Sequence, residues 1–332
     1  MKTTYTFIVS LLLFSVNSFS QQKNISLYLS HYYNGEVFEL ESELSLEDDI
    51  KCKISRLEYY LTLNTIEANN GDKIEFSGVF VTAEGSSIDY PGKQILVNTQ
   101  KHLYEIGSYD VSDLSNLDFH IGIPPEINHQ DPAIWNINHP LAPQNPSMHW
   151  GWSAGYRFLA LEAIVDEDSD TVFESILQYH AIGDVLYNSI NLNISTVETE
   201  DEITIYLDVN YEKLLQDINA SNAGVFHGEP EQVVALMNNF STNSVFTNAE
   251  NLNLEQTTLL KSIAPNPFSS NLNIELEKAT QLKIYNLIGS LLSEQTLEKG
   301  SNTIDTQELK QGVYIFKLEN ELKTETYKLL KN

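Results

Sequence analysis

The chain is 332 residues long and strongly acidic, with 19 Lys and Arg against 46 Asp and Glu and a formal net charge of -27. This charge excludes a nucleic-acid-binding protein, which needs cationic side chains to neutralise phosphates. Hydrophobic residues make up 42% of the sequence and aromatic residues 10%, so the chain can build packed cores and general disorder is excluded. At ~100 to 200 residues per domain, this length predicts two domains.

The first 20 residues have the pattern of a secretory signal peptide. Lys2 precedes an apolar run from Phe7 to Phe14, and Ser18 and Ser20 supply the small residues of a cleavage site. The apolar run is shorter than the ~20 residues that span a bilayer, and no later run approaches that length, so no membrane span is predicted. We expect the mature protein to begin at Gln21, outside the inner membrane.

Most of the chain before residue 241 alternates apolar and polar residues, which is the period of a β-strand. Alternating runs lie at residues 26–31, 50–63, 74–81, 156–164, 172–180, 190–195 and 203–210. Two stretches have a helical pattern instead, residues 212–218 and 230–239. The pattern predicts a mostly β main domain, an antiparallel β-sandwich of short strands with short helical connections.

Charge divides the chain into two parts. Residues 21–260 contain nine Lys or Arg and 37 Asp or Glu, whereas residues 261–332 contain nine of each. The predicted organisation is a signal peptide at 1–20, a main domain at 21–240, a polar linker at 241–258 and a C-terminal domain at 259–332. All eight His and all three Trp precede residue 261, so we expect the chemistry of the protein in its main domain.

Three sequence blocks characterise the C-terminal domain. They are SIAPNPF at 262–268, LKIYNLIG at 282–289 and GVYIFK at 312–317, followed by a Lys-rich end. Together they resemble the type A C-terminal sorting domain of the Bacteroidetes type IX secretion system. The resemblance implies a small Ig-like β-sandwich, export by the type IX secretion machinery, and a secreted or cell-surface protein. The residues that carry the sorting motif are Pro265, Asn266, Pro267, Phe268, Gly289, Gly312 and Tyr314.

A dense histidine and aromatic segment, PSMHWGWSAGYRF at 146–158, is the most distinctive part of the main domain. Imidazole nitrogen and thioether sulfur are copper ligands, although a Trp-rich strand is also typical of a core or a sugar platform. Four further blocks occur in order around it: LSH at 29–31, RLEYYL at 56–61, FHIG at 119–122 and QYHAIG at 178–183. Over roughly residues 25–250 this order resembles the MbnP-like domain, the family of methanobactin-associated periplasmic copper-binding proteins.

The family resemblance implies a β-rich protein that binds copper through histidines and a tryptophan oxidised to kynurenine. The oxidation is attributed to a di-haem cytochrome c peroxidase-like protein, which is therefore an expected partner. Carried over by position, the resemblance nominates His31 and His180 as imidazole ligands. His149 and Met148 are further candidate donors, because their imidazole and thioether groups suit copper. Cu(I) is the favoured ion, because it accepts few ligands and soft ones.

Two tryptophans are possible kynurenine precursors, Trp150 first and Trp152 as the alternative. Kynurenine supplies an aniline nitrogen that indole lacks. The sequence departs from related copper sites at this point, because the modified Trp can precede a His by two residues there, whereas His149 comes before Trp150 here. The departure weakens the kynurenine prediction more than the prediction of a metal site.

Two function classes remain open from the sequence. We expect a secreted copper-binding protein for acquisition, buffering or transfer of the metal. The alternative is a metal-free surface module that recognises glycan or protein through Trp135, Trp150, Trp152 and the 17 tyrosines. No nucleophile elbow, zinc-protease motif or phosphate-binding glycine loop occurs, so we expect a protein that is not an enzyme.

Overall fold

The computed structural model describes residues 22–46, 50–81, 85–218, 223–249, 259–276, 278–320 and 324–332. The predicted signal peptide lies outside the described residues, and so does the second half of the predicted linker, residues 250–258. In the described part of the chain, no helix is both long and apolar enough to cross a membrane.

The main domain is built almost entirely from strands. In chain order they are β1 Lys23–Tyr33, β2 Glu36–Val37, β3 Glu43–Ser45, β4 Lys51–Ala68, β5 Lys73–Glu75, β6 Ser77–Val81, β7 Ser87–Pro91, β8 Lys93–Asn98, β9 Leu103–Tyr109, β10 Leu114–Ile121, β11 His149–Gly151, β12 Gly155–Tyr156, β13 Leu159–Asp166, β14 Ser175–Ala181, β15 Asn188–Asn193, β16 Thr196–Glu198, β17 Glu202–Asn210, β18 Val225–Gly228 and β19 Phe246–Asn248. The helices are α1 Pro125–Asn128, α2 Tyr211–Leu214 and α3 Glu231–Thr242, and short 3-10 turns lie at Pro132–Ile134 and Asp184–Leu186.

Two sheets form the β-sandwich. Sheet A has the strand order β16-β17-β1-β2, with β19 beside β17 and β9 beside β1. Sheet B has the order β15-β10-β4-β13-β14-β18, and β3, β5 and β8 also pair with its long central strand β4. Phe119 of β10 packs against Phe246 of β19 with ring centroids 5.2 Å apart, so the inner faces of the two sheets meet in one core.

The alternation seen in the sequence is confirmed along β1. Leu27 and Leu29 are completely buried, whereas their neighbours Tyr28 and Ser30 are half-buried. The prediction of an antiparallel sandwich holds for most pairs, but β1 pairs with β17 in parallel, and β14 pairs with β18 in parallel. Alternation is the same whichever way a neighbouring strand runs, so the sequence pattern could not predict these two pairings.

Both predicted helices are present, although the first is shorter than predicted. The pattern at residues 212–218 becomes the single turn α2, and the pattern at 230–239 becomes α3, which begins after Pro230. Phe240 of α3 contacts Tyr59 of β4 at 5.2 Å between ring centroids, so α3 closes one side of the core.

The C-terminal domain is a second, smaller two-sheet sandwich with its own hydrophobic core. Its strands are β20 Leu260–Ala264, β21 Asn271–Leu276, β22 Thr280–Asn286, β23 Leu291–Leu297, β24 Gly300–Asp305, β25 Gly312–Glu319 and β26 Thr324–Lys331. One sheet has the order β20-β21-β24 and the other β23-β22-β25-β26.

Candidate functional site

The candidate site lies on the outer face of sheet B. Side chains alternate along β4, and because Tyr59 points inward to Phe246, its neighbour Glu58 points outward. The strand register aligns Glu58 with Ala160, Ala160 with His180, and His180 with His227. Four strands therefore place one row of side chains on the outer face, and the hairpin β11–β12 covers this row.

A pair of histidines is the centre of the site. The rings of His180 and His227 stack with centroids 4.7 Å apart and planes 8° apart. Trp150 of the covering hairpin lies edge-on to both rings, 5.9 Å from His180 and 4.5 Å from His227. His180 is only 4% exposed, whereas Trp150 is 44% exposed and His227 is also exposed, so Trp150 and His227 form the solvent side of the cluster.

Both arginines of the chain, Arg56 and Arg157, are at this site, although the chain contains 17 lysines elsewhere. Arg56 donates from Nε to Glu58 at 2.7 Å and from Nη1 to Glu162 at 3.1 Å. Its Nη2 also lies 3.1 Å from the sulfur of Met148. Arg56 therefore ties the hairpin segment to the carboxylates of the sheet.

Arg157 holds the other side of the hairpin. Its Nε donates to His180 Nδ1 at 3.2 Å, and its Nη1 donates to the carbonyl oxygen of Ser147 at 2.6 Å. The guanidinium carbon lies 4.5 Å from the centre of the Trp150 ring, a cation-π contact. One side chain thus contacts the histidine, the tryptophan and the hairpin backbone.

The hydrogen bonds of His180 define which nitrogen carries its proton. A carboxylate accepts, so Nε2 donates to Glu162 Oε1 at 3.0 Å, and Nδ1 is left with the lone pair that accepts from Arg157. Burial lowers the pKa of His180 to about 4, and the Arg157 charge acts in the same direction, against the hydrogen bond to Glu162. The imidazole is therefore neutral at neutral pH, the form that binds metals.

The pKa values of Glu162 and His227 are also lowered in the folded protein. Burial favours the protonated form of Glu162, but hydrogen bonds from His180 and Arg56 outweigh it and lower its pKa. The pKa of His227 is lowered by desolvation and then by the nearby Arg157 charge. Nε2 of His227 donates to Gln178 Oε1 at 3.3 Å, which leaves Nδ1 with the lone pair.

The structure does not bring His31 and His180 together. His31 lies on the inner face of sheet A, is 2% exposed, and accepts a hydrogen bond at Nδ1 from Tyr211 at 2.8 Å. Tyr211 in turn contacts Tyr59, on the inner face of sheet B, whereas His180 is on its outer face. The structure therefore does not form the predicted clamp of His31 with His180, and the imidazole that lies beside His180 is that of His227.

Met148 and His149 of the covering hairpin have different polar contacts, although both line the same cavity. Met148 is completely buried, and its sulfur lies beside Arg56. His149 lines a cavity of about 240 Å³ together with Asp131 and Tyr156, and its buried Nε2 has no hydrogen-bond partner. Of these two predicted donors, Met148 contacts Arg56 of the site through its sulfur, whereas the imidazole of His149 packs against Tyr156.

Trp152 lies at the tip of the hairpin and not at the histidine pair. It is 71% exposed, and its carbonyl oxygen lies 3.1 Å from Nδ1 of His129. The strand conformation breaks at Gly151, whose φ of +133° is a backbone conformation that favours glycine. Of the two predicted kynurenine precursors, Trp150 is therefore the one whose ring contacts the His180 and His227 pair.

Sequence reasoning missed His227 as a member of the site. It lies 47 positions after His180, and only the parallel pairing of β14 with β18 aligns the two residues. In the sequence His227 is followed by Gly228 and lies in no recognisable motif, so the sequence gives only a weak indication of its role.

A cluster of three carboxylates also occurs in the described residues, formed by Asp166, Asp168 and Asp170. Asp166 is buried, and its two oxygens accept from the backbone nitrogens of Asp170 and Thr171 at 3.0 Å each. These bonds cap the turn between β13 and β14, so the cluster has a structural role.

The predicted sorting-motif residues stabilise the C-terminal sandwich. Phe268 is completely buried, 5.8 Å from Phe316 between ring centroids, and Asn266 accepts from the backbone nitrogen of Leu330 at 2.9 Å. Tyr314 donates to the carbonyl oxygen of Lys310 at 2.7 Å. Gly289 occupies a turn at φ +83°, and the remaining motif positions are Pro265, Pro267 and Gly312.

The fold and the site together define a two-domain β-sandwich protein whose first domain carries a surface histidine and tryptophan cluster. A family model described as MbnP matches residues 22–234, and one described as the secretion system C-terminal sorting domain matches residues 262–332. The chain belongs to the MbnP family. The sorting domain assigns it to type IX export, and hence to the cell surface or the medium.

Solved structures show weaker similarity. "MbnP from Methylosinus trichosporium" is 13% identical, with 63% of this chain and 83% of that chain covered, at a TM-score of 0.41. PorZ, a surface component of the type IX secretion system of Porphyromonas gingivalis, is 9% identical, with 87% and 51% covered, at a TM-score of 0.21. Comparison with the curated proteins finds no match.

Proposed function

We propose that the protein is a secreted copper-binding protein and that His180 and His227 hold Cu(I) beside Trp150. The observation that carries the proposal is the stacked pair of imidazoles on adjacent strands, each with its lone pair on Nδ1. The choice of copper as the metal rests on the resemblance of the sequence to the MbnP family. Binding for acquisition, buffering or transfer, without catalysis, is the activity we propose.

The residues at the site fit a soft, singly charged ion. Two neutral imidazoles and the Met148 thioether are nitrogen and sulfur donors, which Cu(I) prefers over the oxygen donors that Ca²⁺ and Mg²⁺ require. Glu58 and Glu162 balance the charges of Arg56 and Arg157, so one bound cation adds a single charge. When bound, the metal would be held by His180 and His227, with Trp150 or its oxidised form next to it.

Copper titration of single variants tests the proposal. Full-length protein would be titrated anaerobically with Cu(I) against a chromophoric chelator, as wild type, His180→Ala, His227→Ala and His31→Ala. We expect each of the first two substitutions to remove most of the affinity, because the ion loses one of two imidazoles.

The control variants separate this site from the sequence-based one. His31→Ala should keep the wild-type affinity, and so should His120→Ala, a histidine of sheet B that is bonded to Asn64 instead. If His31→Ala loses copper binding and His227→Ala keeps it, the sequence-based assignment of His31 as a ligand is supported instead. Wild-type protein that binds no copper would refute the function.

One observation favours the alternative, glycan or protein recognition. Trp150 and Trp152 lie on one solvent-facing hairpin at 44% and 71% exposure, as aromatic platforms for ligands do. A glycan-binding screen of metal-free protein tests this function. Binding that is lost in Trp152→Ala and kept in His227→Ala would support recognition over copper.

A further inference from the structure

Arg157 occupies the nitrogen of His180 that a metal ion would need. Glu162 fixes the His180 proton on Nε2, so Nδ1 has the single available lone pair of the ring, and Arg157 Nε already donates to it at 3.2 Å. An N–H donor and a metal ion cannot share one lone pair. Binding through Nδ1 therefore requires Arg157 to leave.

We propose that Arg157 is a gate for the metal site: its guanidinium takes the place of the cation in the metal-free protein and is displaced when the metal binds. This inference rests on the proposed copper function. It makes Arg157 a positioning residue, because it acts through His180 and Trp150 and is not itself a metal ligand.

The other contacts of Arg157 explain how it can leave without releasing the hairpin. Its Nη1 donates to the carbonyl oxygens of Ser147 at 2.6 Å and His149 at 3.4 Å, and its backbone nitrogen donates to Met148 at 2.8 Å. These bonds do not involve Nε, so the bond to His180 can break while the arginine stays at the rim. The guanidinium also lies over Trp150 and keeps the indole beside the two histidines.

A gate of this kind selects for ions that bind imidazole strongly. The hydrogen bond of a charged donor is roughly twice as strong as a neutral one, and this bond must be broken in exchange for the metal bond. Cu(I) binds imidazole strongly, whereas Ca²⁺ and Mg²⁺ prefer oxygen donors. We therefore expect hard cations to leave Arg157 in place.

The two arginines of the chain provide a matched pair of variants. Arg157→Lys and Arg56→Lys both keep a positive charge, and both weaken the ties of the hairpin to its surroundings. Only Arg157→Lys removes the planar donor that holds His180 Nδ1. Arg157→Leu removes the donor and the charge together, and Arg157→Lys remains informative if the leucine variant does not fold.

The experiment is the anaerobic Cu(I) competition titration of full-length wild type, Arg157→Lys, Arg157→Leu and Arg56→Lys. Because a charged hydrogen bond no longer competes, we expect Arg157→Leu to bind Cu(I) roughly tenfold more tightly or better, and Arg157→Lys to be intermediate. Arg56→Lys should be no tighter than wild type. Equal tightening in Arg56→Lys, or unchanged or weaker binding in both Arg157 variants, would overturn the gate.

A second measurement separates the gate from the copper function. Long-range ¹H–¹⁵N NMR spectra of the metal-free protein report the state of each His180 nitrogen. We expect the Nδ1 signal of His180 to move much further in Arg157→Leu than in Arg56→Lys, because Arg157 donates to Nδ1 directly whereas Arg56 reaches His180 only through Glu162. If no form binds Cu(I), the copper function fails, and an unmoved Nδ1 signal would in addition show that Arg157 does not hold His180.

Discussion

His31 and His180 are both buried imidazoles, and their different partners give them different roles. Both nitrogens of His31 face protein groups inside the sandwich, Nδ1 towards the Tyr211 hydroxyl at 2.8 Å and Nε2 towards the carbonyl oxygen of Lys101 at 3.3 Å. His180 instead lies beneath a surface hairpin, next to a second imidazole. The first environment stabilises the core, and the second can exchange a partner for a ligand.

The pH dependence of stability tests the core role of His31. Burial lowers the pKa of His31 from 6.5 to about 4 in the folded protein. Between these two pH values the unfolded chain binds a proton that the folded chain does not, so stability falls as pH decreases from about 6.5 towards 4. This one group accounts for a loss on the order of 3 kcal/mol across the window.

The expected result is a flatter pH profile in His31→Phe. Denaturant unfolding at several values between pH 4 and 7 would measure it, and the variant should also be less stable at pH 7, because the buried Tyr211 hydroxyl loses its acceptor. A variant profile parallel to that of the wild type would show that His31 does not carry the effect.

Oxidation of Trp150 is a second prediction at the scale of single residues. Trp150 contacts both site histidines and is 44% exposed, so it is reachable from outside and its product would lie next to the metal. We predict that a di-haem peroxidase-like partner in the native host supplies the oxidising equivalents that convert Trp150 to kynurenine, and that Trp150 stays intact when the protein is expressed alone.

Peptide mass mapping of residues 145–160 from natively secreted protein checks the oxidation of Trp150, with Trp152 resolved as the internal control. Copper affinity should then depend on the expression host, because kynurenine adds an aniline nitrogen. Two unmodified tryptophans in copper-loaded native protein would contradict the prediction and leave a site of His and Met.

At the scale of elements, the hairpin β11–β12 depends on the buried side chain of Asn128. Asn128 accepts from the backbone nitrogen of Tyr156 at 2.8 Å and donates to Asp184 at 2.7 Å. A methyl group at Gly155 would come within 2.6 Å of this amide, and Gly155 also has a φ of +81°. The hairpin that carries Trp150 is therefore held by a glycine and an asparagine in contact.

We expect Gly155→Ala to lower both stability and copper affinity. Gly71→Ala is the matched control, because Gly71 has a similar φ of +91° but open space around it. Each substitution should cost ~1–2 kcal/mol of backbone strain, and Gly155→Ala a further ~1–3 kcal/mol for the displaced buried amide. Thermal unfolding and Cu(I) titration of both variants test this, and equal losses in the two would argue against an anchoring role for Asn128.

The elements also show what the sequence could predict. Alternation along β1 reflects which side chains are buried, so its inner face was predictable. In the middle of β4 the five residues 59–63 are all buried, so the sequence pattern predicted a strand there but not its inner face. The partner of a strand is a different property, because it depends on chain path and not on period. The pairing of β14 with β18 is of this kind, and it is why the segment around Trp150 was identified from motifs while His227 was missed.

At the scale of the whole molecule, the two sandwiches carry separate cores and different charge. The described apolar residues form one buried cluster in the main domain and another around Phe268, Phe316 and their neighbours in the C-terminal domain. The main part of the chain is strongly acidic, whereas residues 261–332 contain nine charges of each sign. The histidine and tryptophan cluster and the sorting domain therefore lie on different units of the chain.

Deletion of residues 259–332 should stop the protein in the periplasm, because that segment carries the type IX sorting domain. The remaining chain retains the complete main-domain core, so we expect the retained protein to be folded. Cell fractionation and immunodetection of the wild type and the deletion variant measure the effect. Phe268→Ala is a finer test, since it removes a completely buried ring from the C-terminal core at a cost of ~3–5 kcal/mol and should reduce export through loss of the sorting domain's fold. Normal amounts of the deletion variant outside the cell would show that export does not depend on the C-terminal domain.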